Sequence, residues 1–412
     1  MNDLSGRLRI HLHRRPEGLA VTIDSSRLVG ASRVFIGKDP AETAATLPSL
    51  FSVCATAQAA ACVSACEAAL GQTPSATLMG ARHLLVDVET AREHLWRLLL
   101  DWPGLLGEGP RGPAMARVMG ACGQLRSALA AGGDPLVLGT PGLQPDLAAA
   151  TAALTALADV ATSHVLGQAT PDWLAATPTA TELGHWAAAT DTAAARLLGL
   201  VASQGWSAVG RSPVPALPTL SSAALEARLG GPEADDFIAA PLWAGAPAES
   251  SPFTRQSGQA LVADLTREQG NGLLTRLAAQ LVELAVILAG LPIRLAALVA
   301  GGDSPGEKAE RPDPPLPEAS LPDGVGLAQV QAARGLLVHR VAIQAGRVAD
   351  YRILAPTEWN FHPQGAAALG LATLPDADDE TLQRIGGLFV TALDPCVAYD
   401  LLIAPGPGAD QR

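Results

Sequence analysis

Residues 393–399 read Leu-Asp-Pro-Cys-Val-Ala-Tyr and place Cys396 directly after an Asp-Pro step, close to the end of the sequence. A second cysteine, Cys54, stands far upstream in residues 47–60, which read Leu-Pro-Ser-Leu-Phe-Ser-Val-Cys-Ala-Thr-Ala-Gln-Ala-Ala. A lone cysteine is more often a small buried hydrophobe than a ligand. Neither stretch indicates a site by itself, so their meaning depends on what lies between them.

The composition predicts an α+β protein that is mainly helical. Of the 412 residues, 48% are hydrophobic but only 4% are aromatic, so the core must be built from Ala, Leu and Val. Such a core favours helices packed at close range. We expect one domain over residues 1–412. Residues 301–325 should form a flexible loop or insert within it, because they hold many Pro, Asp and Glu and few apolar groups.

Charge and cysteine content narrow the class of protein. A net charge of −12 without a basic run makes nucleic acid and anionic membrane poor partners. Five cysteines, an odd number, argue against a disulfide framework and for a reducing compartment. The most apolar stretch, residues 273–300, carries Arg276 and Glu283 and is broken by Pro292. We therefore expect a buried helix there and no membrane span, in a cytoplasmic protein.

Local patterns place a few strands among the helices. Residues 6–24 alternate as a β-hairpin, and residues 336–344 and 347–354 form a second one. A helix is predicted over residues 49–70, after a break at Pro48.

Four polar side chains share one stripe of that helix because they are spaced four residues apart: Cys54, Gln58, Cys62 and Cys66. Packing against other helices is the favoured interpretation of Cys62 and Cys66. The sequence assigns no role to Cys122.

Five motifs in order resemble those of nickel-iron hydrogenase large subunits. Their places are residues 37–40 (Gly-Lys-Asp-Pro), 49–58, 331–339, 354–360 and 394–402. Residues 331–339 read Gln-Ala-Ala-Arg-Gly-Leu-Leu-Val-His, where the family has Glu-Ala-Pro-Arg-Gly-x-Leu-x-His. Residues 356–360 read Pro-Thr-Glu-Trp-Asn, similar to the family's Pro-(Ser/Thr)-x-Trp-Asn. The resemblance implies the large-subunit fold, with small antiparallel β-hairpins.

Half of the metal ligands implied by this resemblance are replaced. The family holds nickel with four thiolates, two of which bridge to an iron carrying carbon monoxide and two cyanides, and soft thiolates suit both metals. Here Cys54 and Cys396 are kept, and Ser32 stands where the family relays protons through a glutamate. The replaced ligand-motif positions are Phe51, Gln58, Tyr399 and Leu402. The resemblance therefore implies no nickel and no turnover of hydrogen.

The residues that surround the cyanides in the family are better preserved. Arg334, Pro356 and Thr357 match those places, and Asp394 would hold Arg334, with Asp101 as a second candidate. The nitrogen of a metal-bound cyanide is a partly negative acceptor, for which a guanidinium and a hydroxyl are suitable donors. Taken singly, Arg334 could be a surface arginine, Thr357 a helix cap and Asp394 a turn residue. In family order they indicate a ligand pocket.

This combination is similar to the HupK/HoxV-type hydrogenase expression/formation proteins. It implies a non-catalytic maturation factor that transiently holds an Fe(CN)2(CO) unit through Cys54 and Cys396. The expected partners are a small HypC-like chaperone, the hydrogenase large subunit and other maturation proteins. Two alternatives stay open, a divergent hydrogenase and a metal-free interaction protein that keeps the fold as a docking surface. If both cysteines bind one iron, their sulfurs must meet in a mostly apolar cavity together with Arg334 and Thr357.

Overall fold

The structure is a computed structural model that describes residues 6–300 and 321–404. Its strands, in chain order, are β1 (Arg7–Arg15), β2 (Gly18–Ser25), β3 (Val325–Ala332), β4 (Gly335–Gln344), β5 (Arg347–Leu354) and β6 (Ala398–Ala404). They form one sheet of order β2-β1-β6 and another of order β3-β4-β5. The insert predicted at residues 301–325 lies almost wholly outside the described ranges, and its last residue already belongs to β3.

The first sheet joins the two ends of the described chain. β1 pairs with β2 in antiparallel register, with Leu8 opposite Ser25, and this confirms the predicted N-terminal hairpin. The other edge of β1 pairs with β6 in parallel register, with Ile10 opposite Leu401. Leu8, Ile10 and Leu12 are buried in the core. The parallel strand is not predicted by the sequence, and it brings the segment after Cys396 beside β1.

The second sheet contains the turn that carries Arg334. β4 is buried along most of its length between β3 and β5, and β4 and β5 correspond to the second predicted hairpin. The turn from β3 into β4 passes through Arg334 and Gly335. Gly335 has φ +133°, and a Cβ there would lie 2.1 Å from the carbonyl oxygen of Ser250. Only glycine fits this close approach, which fixes the path of the chain next to Arg334.

Most of the described residues lie in helices, as the composition predicts. In chain order the helices are α1 (Pro40–Leu50), α2 (Ala55–Ala69), α3 (Ala76–Trp96), α4 (Trp102–Leu105), α5 (Gly112–Leu129), α6 (Leu147–Ala161), α7 (Thr170–Ala176), α8 (Ala180–Ala189), α9 (Ala193–Ser203), α10 (Ser222–Leu229), α11 (Ala234–Ala239), α12 (Pro252–Arg255), α13 (Ala260–Gln269), α14 (Leu273–Ala300), α15 (Pro356–Asn360), α16 (Ala366–Leu371) and α17 (Asp379–Leu393). Single 3-10 turns occur at Ala31–Phe35 and Ser52–Cys54, and π-helical turns at Arg97–Asp101 and Thr162–Leu166.

The helix before Cys54 was predicted to break at Pro48, and the structure shows that it does not. α1 continues through Pro48 to Leu50, and the break falls at Phe51 and the following 3-10 turn. Pro48 removes one backbone hydrogen bond, and the helix ends within one turn of it. Cys54 thus stands at the N-cap of α2, the first position of the predicted stripe.

α14 is a central helix of the core and packs against α3, α6, α7, α13 and α17. By length and composition, its residues Leu273–Leu298 and the stretch Leu147–Ala176 could each cross a membrane. Yet α14 buries Arg276 and Glu283 in ion pairs with other segments of the protein. Buried charges of this kind require partners inside the fold, so α14 is a core helix of the protein.

The ion pair between Arg276 and Glu249 lies deep in this core. Arg276 Nη2 lies 2.7 Å from Glu249 Oε2, and Nη1 donates to the carbonyl oxygen of Gly210 at 3.1 Å. The guanidinium also lies over the rings of Phe253 and Phe389, at 5.5 and 5.4 Å from their centroids. One cation therefore connects α14 with α12, α17 and the loops around them.

Replacing Glu249 by Ala should destabilise the fold by about 3–5 kcal/mol, because it leaves Arg276 buried without its counter-ion. Urea unfolding followed by circular dichroism would measure this as a lower midpoint. Asp376→Ala, which removes a solvent-exposed partner of Arg14, should leave the midpoint unchanged. Equal midpoints for Glu249→Ala and the wild type would contradict the structural role given to this pair.

Candidate functional site

Cys54 and Cys396 line one cavity of about 420 Å³, here called the thiol cavity. Cys54 immediately precedes α2, and Cys396 lies between α17 and β6. The walls are mostly apolar and include Phe51, Val53 and Leu337. All five cysteines of the chain are free thiols. The fold thus brings two free thiols from distant segments to the same space.

The sulfur of Cys396 lies among polar donors. Arg27 Nη1 donates to it at 2.8 Å, and the hydroxyl of Thr357 lies 3.0 Å from it. The chain reaches this position through Asp394, which ends α17 in a left-handed conformation with φ +50°. Asp tolerates this conformation better than most residues. The turn at Asp394 and the two donors together fix the sulfur at the cavity wall.

The sulfur of Cys54 ends a chain of buried hydrogen bonds. Gln58 Nε2 donates to it at 3.6 Å, and Gln58 Oε1 lies 2.8 Å from Nε2 of His339. The other ring nitrogen of His339 lies 2.8 Å from the hydroxyl of Tyr351 on β5. Burial lowers the pKa of His339, so its ring is neutral and can donate to Gln58 while it accepts from Tyr351. Gln58, where the resembled family has a histidine, therefore connects Cys54 to the second sheet.

The thiol of Cys54 is held in its neutral form by its surroundings. Burial raises the pKa of Cys54 to about 12, and the neighbouring Cys396 and Glu89 act in the same direction, while Arg334 opposes them. Glu89 reaches this region because its carboxylate accepts two backbone N–H groups at the start of α2, at 2.9 and 2.8 Å. Cys54 is therefore a neutral thiol at neutral pH, and a bound cation would have to displace its proton.

Arg334 is almost wholly buried at the edge of the thiol cavity. Its Nη2 lies 3.1 Å from Glu93 Oε2, and its Nε lies 3.2 Å from Asp394 Oδ2. Among the described residues, nothing accepts a hydrogen bond from its Nη1. Arg334 and Cys396 also line a second, more polar cavity of about 720 Å³ on the side of Tyr399. A buried donor with no acceptor is unusual, and it marks a place where a ligand atom would be stabilised.

Asp394 is the carboxylate that joins Arg334 to α3. Its Oδ1 accepts from Arg97 Nε at 2.7 Å, while its Oδ2 pairs with Arg334. Burial alone would raise the pKa of Asp394, but the charges of Arg334 and Arg97 outweigh it and hold the pKa below its ordinary value. The prediction that Asp101 also holds Arg334 is wrong. Asp101 pairs with Arg97 on a partly exposed turn. The second carboxylate that contacts Arg334 is Glu93.

Pro356 and Thr357 begin α15 beside Cys396. Pro356 lines the thiol cavity, and the hydroxyl of Thr357 contacts the sulfur of Cys396. At the other end of this short helix, Asn360 Nδ2 donates to the carbonyl oxygens of Arg334 and Ser250, at 3.2 and 2.8 Å. Asn360 therefore connects the turn that carries Arg334 to the helix that carries Thr357.

A second layer of ion pairs supports Arg334 from α14. Glu283 Oε1 pairs with Arg255 Nε at 2.7 Å, and Glu283 Oε2 lies 2.7 Å from Nε2 of His94. Arg255 Nη2 donates to the carbonyl oxygen of Ala333, the residue before Arg334, at 2.8 Å. His94 follows Glu93, which itself contacts Arg334. Glu283 thus stabilises both segments that hold the guanidinium.

The replaced positions are filled by side chains that carry neither a thiol nor an imidazole. Phe51 lines the thiol cavity and Tyr399 lines the second cavity. The Ser32 hydroxyl donates to the carbonyl oxygen of Tyr351 at 2.7 Å and is buried. Leu402 lies on β6 and is exposed. Within the described ranges, no three His, Cys, Asp or Glu side chains converge as a metal site would require.

Three charged residues of the site are missed by the sequence analysis: Arg27, Glu93 and Arg97. Arg27 follows β2 and belongs to none of the five motifs. Glu93 lies in the last turn of α3 and Arg97, four residues later, begins the π-helical turn that continues it, and this spacing indicates only a shared helix face. Their partners, Arg334 and Asp394, come from remote segments, so no local pattern could have identified these pairs.

Comparison with known proteins defines the class. The sequence model of the family described as nickel-dependent hydrogenase matches residues 237–375. Among solved structures, the Ni-Fe-Se hydrogenase from D. vulgaris Hildenborough in the reduced state superposes with a TM-score of 0.61, at 15% identity, over 93% of this chain and 94% of that one. A reduced Ni-Fe-Se hydrogenase from Desulfomicrobium baculatum gives a TM-score of 0.60, at 14% identity, over 93% and 95%. The fold is that of a hydrogenase large subunit, and this confirms the predicted fold class.

Relatives matched along nearly their full length narrow the class further. The hydrogenase expression/formation protein HoxV of Cupriavidus necator is 32% identical over 98% of this chain and 97% of its own. HupV of Azotobacter chroococcum is 29% identical over 97% and 99%, and HupK of Rhizobium leguminosarum bv. viciae is 30% identical over 93% and 92%. The chain belongs to the HupK/HoxV family of hydrogenase expression/formation proteins, and its role is accessory to hydrogenase formation.

Glu283 gives the site's supporting layer a defined pH dependence. Burial would raise its pKa, but Arg255 and His94 lower it well below the ordinary value. A carboxylate of this kind stabilises the fold above its unfolded pKa, and the contribution is lost as pH falls through the lower folded value. Between about pH 5 and pH 2, the free energy of unfolding should therefore fall more steeply for the wild type than for Glu283→Gln.

Urea unfolding at a series of pH values measures both slopes. The variant should be less stable than the wild type at neutral pH, and the difference should shrink on acidification. Parallel slopes for the two proteins would show that Glu283 carries no such charge.

Proposed function

We propose that this protein is a maturation scaffold that transiently holds an Fe(CN)2(CO) unit between Cys54 and Cys396 before the unit passes to the hydrogenase large subunit. The observation that carries the proposal is the meeting of two free thiols with a buried arginine whose Nη1 has no acceptor among the described residues. The accessory role of the family agrees with a scaffold better than with an enzyme.

The ligand count favours a preassembled iron unit over a bare ion. A bare thiophilic ion such as zinc is usually held by about four protein ligands. The thiol cavity offers two sulfurs, from Cys54 and Cys396, and within the described residues no third His, Cys, Asp or Glu converges with them, since the carboxylate of Glu358 pairs with Arg27. An iron that already carries three diatomic ligands needs few further donors. Two thiolates would hold such a unit firmly and still allow its release.

The polar groups of the cavity match the outer atoms of such a unit. Arg334 Nη1 supplies a buried donor, and the hydroxyl of Thr357 supplies another beside Cys396. A metal-bound cyanide accepts hydrogen bonds through its nitrogen, so both groups would stabilise it. Pro356 and the apolar walls suit carbon monoxide, which forms only weak hydrogen bonds. The same set gives no reason to expect nickel, since Phe51 and Tyr399 fill places where the related enzymes have thiolates.

Two variants test whether both cysteines hold the unit. Wild-type protein, isolated anaerobically from its own host while hydrogenase is being made, should show infrared bands of metal-bound cyanide and carbon monoxide. Cys54→Ser and Cys396→Ser should each abolish these bands, because one thiolate alone cannot retain the iron. Cys122→Ser is the matched control and should keep the bands, since Cys122 does not line the thiol cavity.

The outcomes separate the candidate functions. Bands that persist in both cysteine variants would contradict the scaffold proposal. Protein that lacks bands and iron in every preparation would favour a metal-free interaction protein, and nickel together with hydrogen turnover would favour a divergent hydrogenase.

We further propose that protein partners dock over the mouth of the thiol cavity, in the cytoplasm. The exposed apolar side chains around this mouth are Leu28, Val34, Leu50 and Val53. Exposed apolar residues that cluster in one place are typical of protein interaction sites. A partner seated there, a HypC-like chaperone or the hydrogenase large subunit, would shield the cavity from water during transfer.

A charge placed at this mouth should disrupt docking. Val34→Glu should reduce co-purification of the hydrogenase large subunit precursor at least about tenfold, because a carboxylate would be buried without a counter-ion. Ile293→Glu, at an equally exposed apolar residue on α14, is the control and should leave co-purification unchanged. Equal recovery with the two variants would place the docking surface elsewhere.

A further inference from the structure

Arg27 occupies an unusual position between a thiol and a carboxylate. Its Nη1 lies 2.8 Å from the sulfur of Cys396, and its Nε lies 3.0 Å from Glu358 Oε1. The side chains of Arg27 and Glu358 are only 16% and 12% exposed, and both line the thiol cavity. A largely buried arginine destabilises the fold unless its charge is paired with a negative group or a hydrogen-bond acceptor.

Glu358 balances that charge from the Nε side of the guanidinium, whereas Nη1 faces the sulfur of Cys396. One of its oxygens pairs with Arg27, while the other, Oε2, is buried and has no hydrogen-bond partner among the described residues. Glu358 is the residue after Thr357, so a single turn of α15 positions both the carboxylate and the hydroxyl. The cation at Arg27 is therefore shared between one carboxylate and the sulfur.

Arg334 differs from Arg27 in this respect. Arg334 contacts two carboxylates, those of Asp394 and Glu93, which also pair with Arg97 and Arg92. Arg27 has one carboxylate partner, Glu358. Of the two guanidinium groups at the cavity, Arg27 is the one that hydrogen-bonds the sulfur of Cys396, so it contributes more positive potential there.

We infer that Arg27 and Glu358 form a charge pair that makes the space around Cys396 selective for anions. Arg27 is the specificity-determining residue: it orients the sulfur and attracts a negatively charged ligand. Glu358 holds Arg27 in place and limits the strength of this attraction. The inference rests on the proposed function only where it names a ligand: Fe(CN)2(CO) with ferrous iron is neutral on its own, and the complex becomes anionic when the thiolates of Cys54 and Cys396 bind it, so Arg27 would stabilise the bound form.

Two alkylating reagents of similar size test the selectivity in the full-length protein without metal. Iodoacetate is an anion and iodoacetamide is neutral, and with each the thiolate sulfur displaces iodide. The same thiolate attacks both reagents, so the ratio of the two rates at Cys396 cancels the fraction of thiolate present. Peptide mass spectrometry gives this ratio for every cysteine separately. The measured quantity is therefore the local preference for a negative reagent.

Arg27→Gln should lower the iodoacetate-to-iodoacetamide ratio at Cys396 by about threefold or more at low ionic strength, because a positive charge next to the sulfur is lost. Glu358→Gln should raise the ratio by about the same factor, because the compensating charge is removed. Cys122, which lies near Arg92 instead, is the internal reference and should keep its ratio in both variants.

Labelling of the buried Cys62 and Cys66 reports loss of the fold. If Arg27→Gln unfolds by this criterion, the ratio measured for Glu358→Gln alone decides whether the inference holds. A ratio at Cys396 that stays within about twofold of the wild type in a folded variant would overturn the inference. The outcome is independent of iron: missing infrared bands with a shifted ratio would reject the scaffold proposal and leave the charge pair intact.

Discussion

The buried ion pair between Arg334 and Asp394 is the interaction on which the site depends. Arg334 belongs to the turn between two strands of the second sheet, and Asp394 belongs to the end of the last helix. A buried guanidinium is strongly destabilising without its carboxylate. Pairing therefore forces the C-terminal segment against the second sheet. Cys396, two residues beyond Asp394, is carried to the cavity by the same constraint.

The remaining contacts extend this constraint in two directions. Arg97 and Glu93 connect the pair to α3, and through Glu283 the supporting layer reaches α14. On the other side, Gln58 and the second sheet position Cys54. The cavity is thus assembled from segments that meet only in the folded chain. This explains how one cavity can bring together side chains that lie far apart in the sequence.

Much of the fold follows from the sequence because the motifs occur in the order of a known family. The two hairpins, the helical bulk and the closeness of Arg334 to Asp394 belong to this part. Strand β6 could not be predicted, since its parallel pairing with β1 joins residues from opposite ends of the chain. Arg27 is the clearest omission at the site. It lies outside every motif, and only the folded chain brings it to Cys396.

Two of the predictions, for Pro48 and for Asp101, were wrong because they relied on residue type alone. A proline suggested a helix break at Pro48, whereas the chain tolerates it near the helix end and breaks three residues later. Asp101 was a plausible partner for Arg334 because it carries a carboxylate. It pairs instead with Arg97, which lies four residues away on the same helical face. In both cases the local contacts of the folded chain decided between options that the sequence left open.

The central claim is that Cys54 and Cys396 together bind one iron. Iron X-ray absorption spectroscopy on protein isolated anaerobically from cells that are assembling hydrogenase tests this directly. The account predicts two sulfur neighbours at about 2.3 Å from the iron, together with short iron–carbon distances from the diatomic ligands. Iron surrounded by oxygen and nitrogen alone, with no sulfur neighbour, would contradict it.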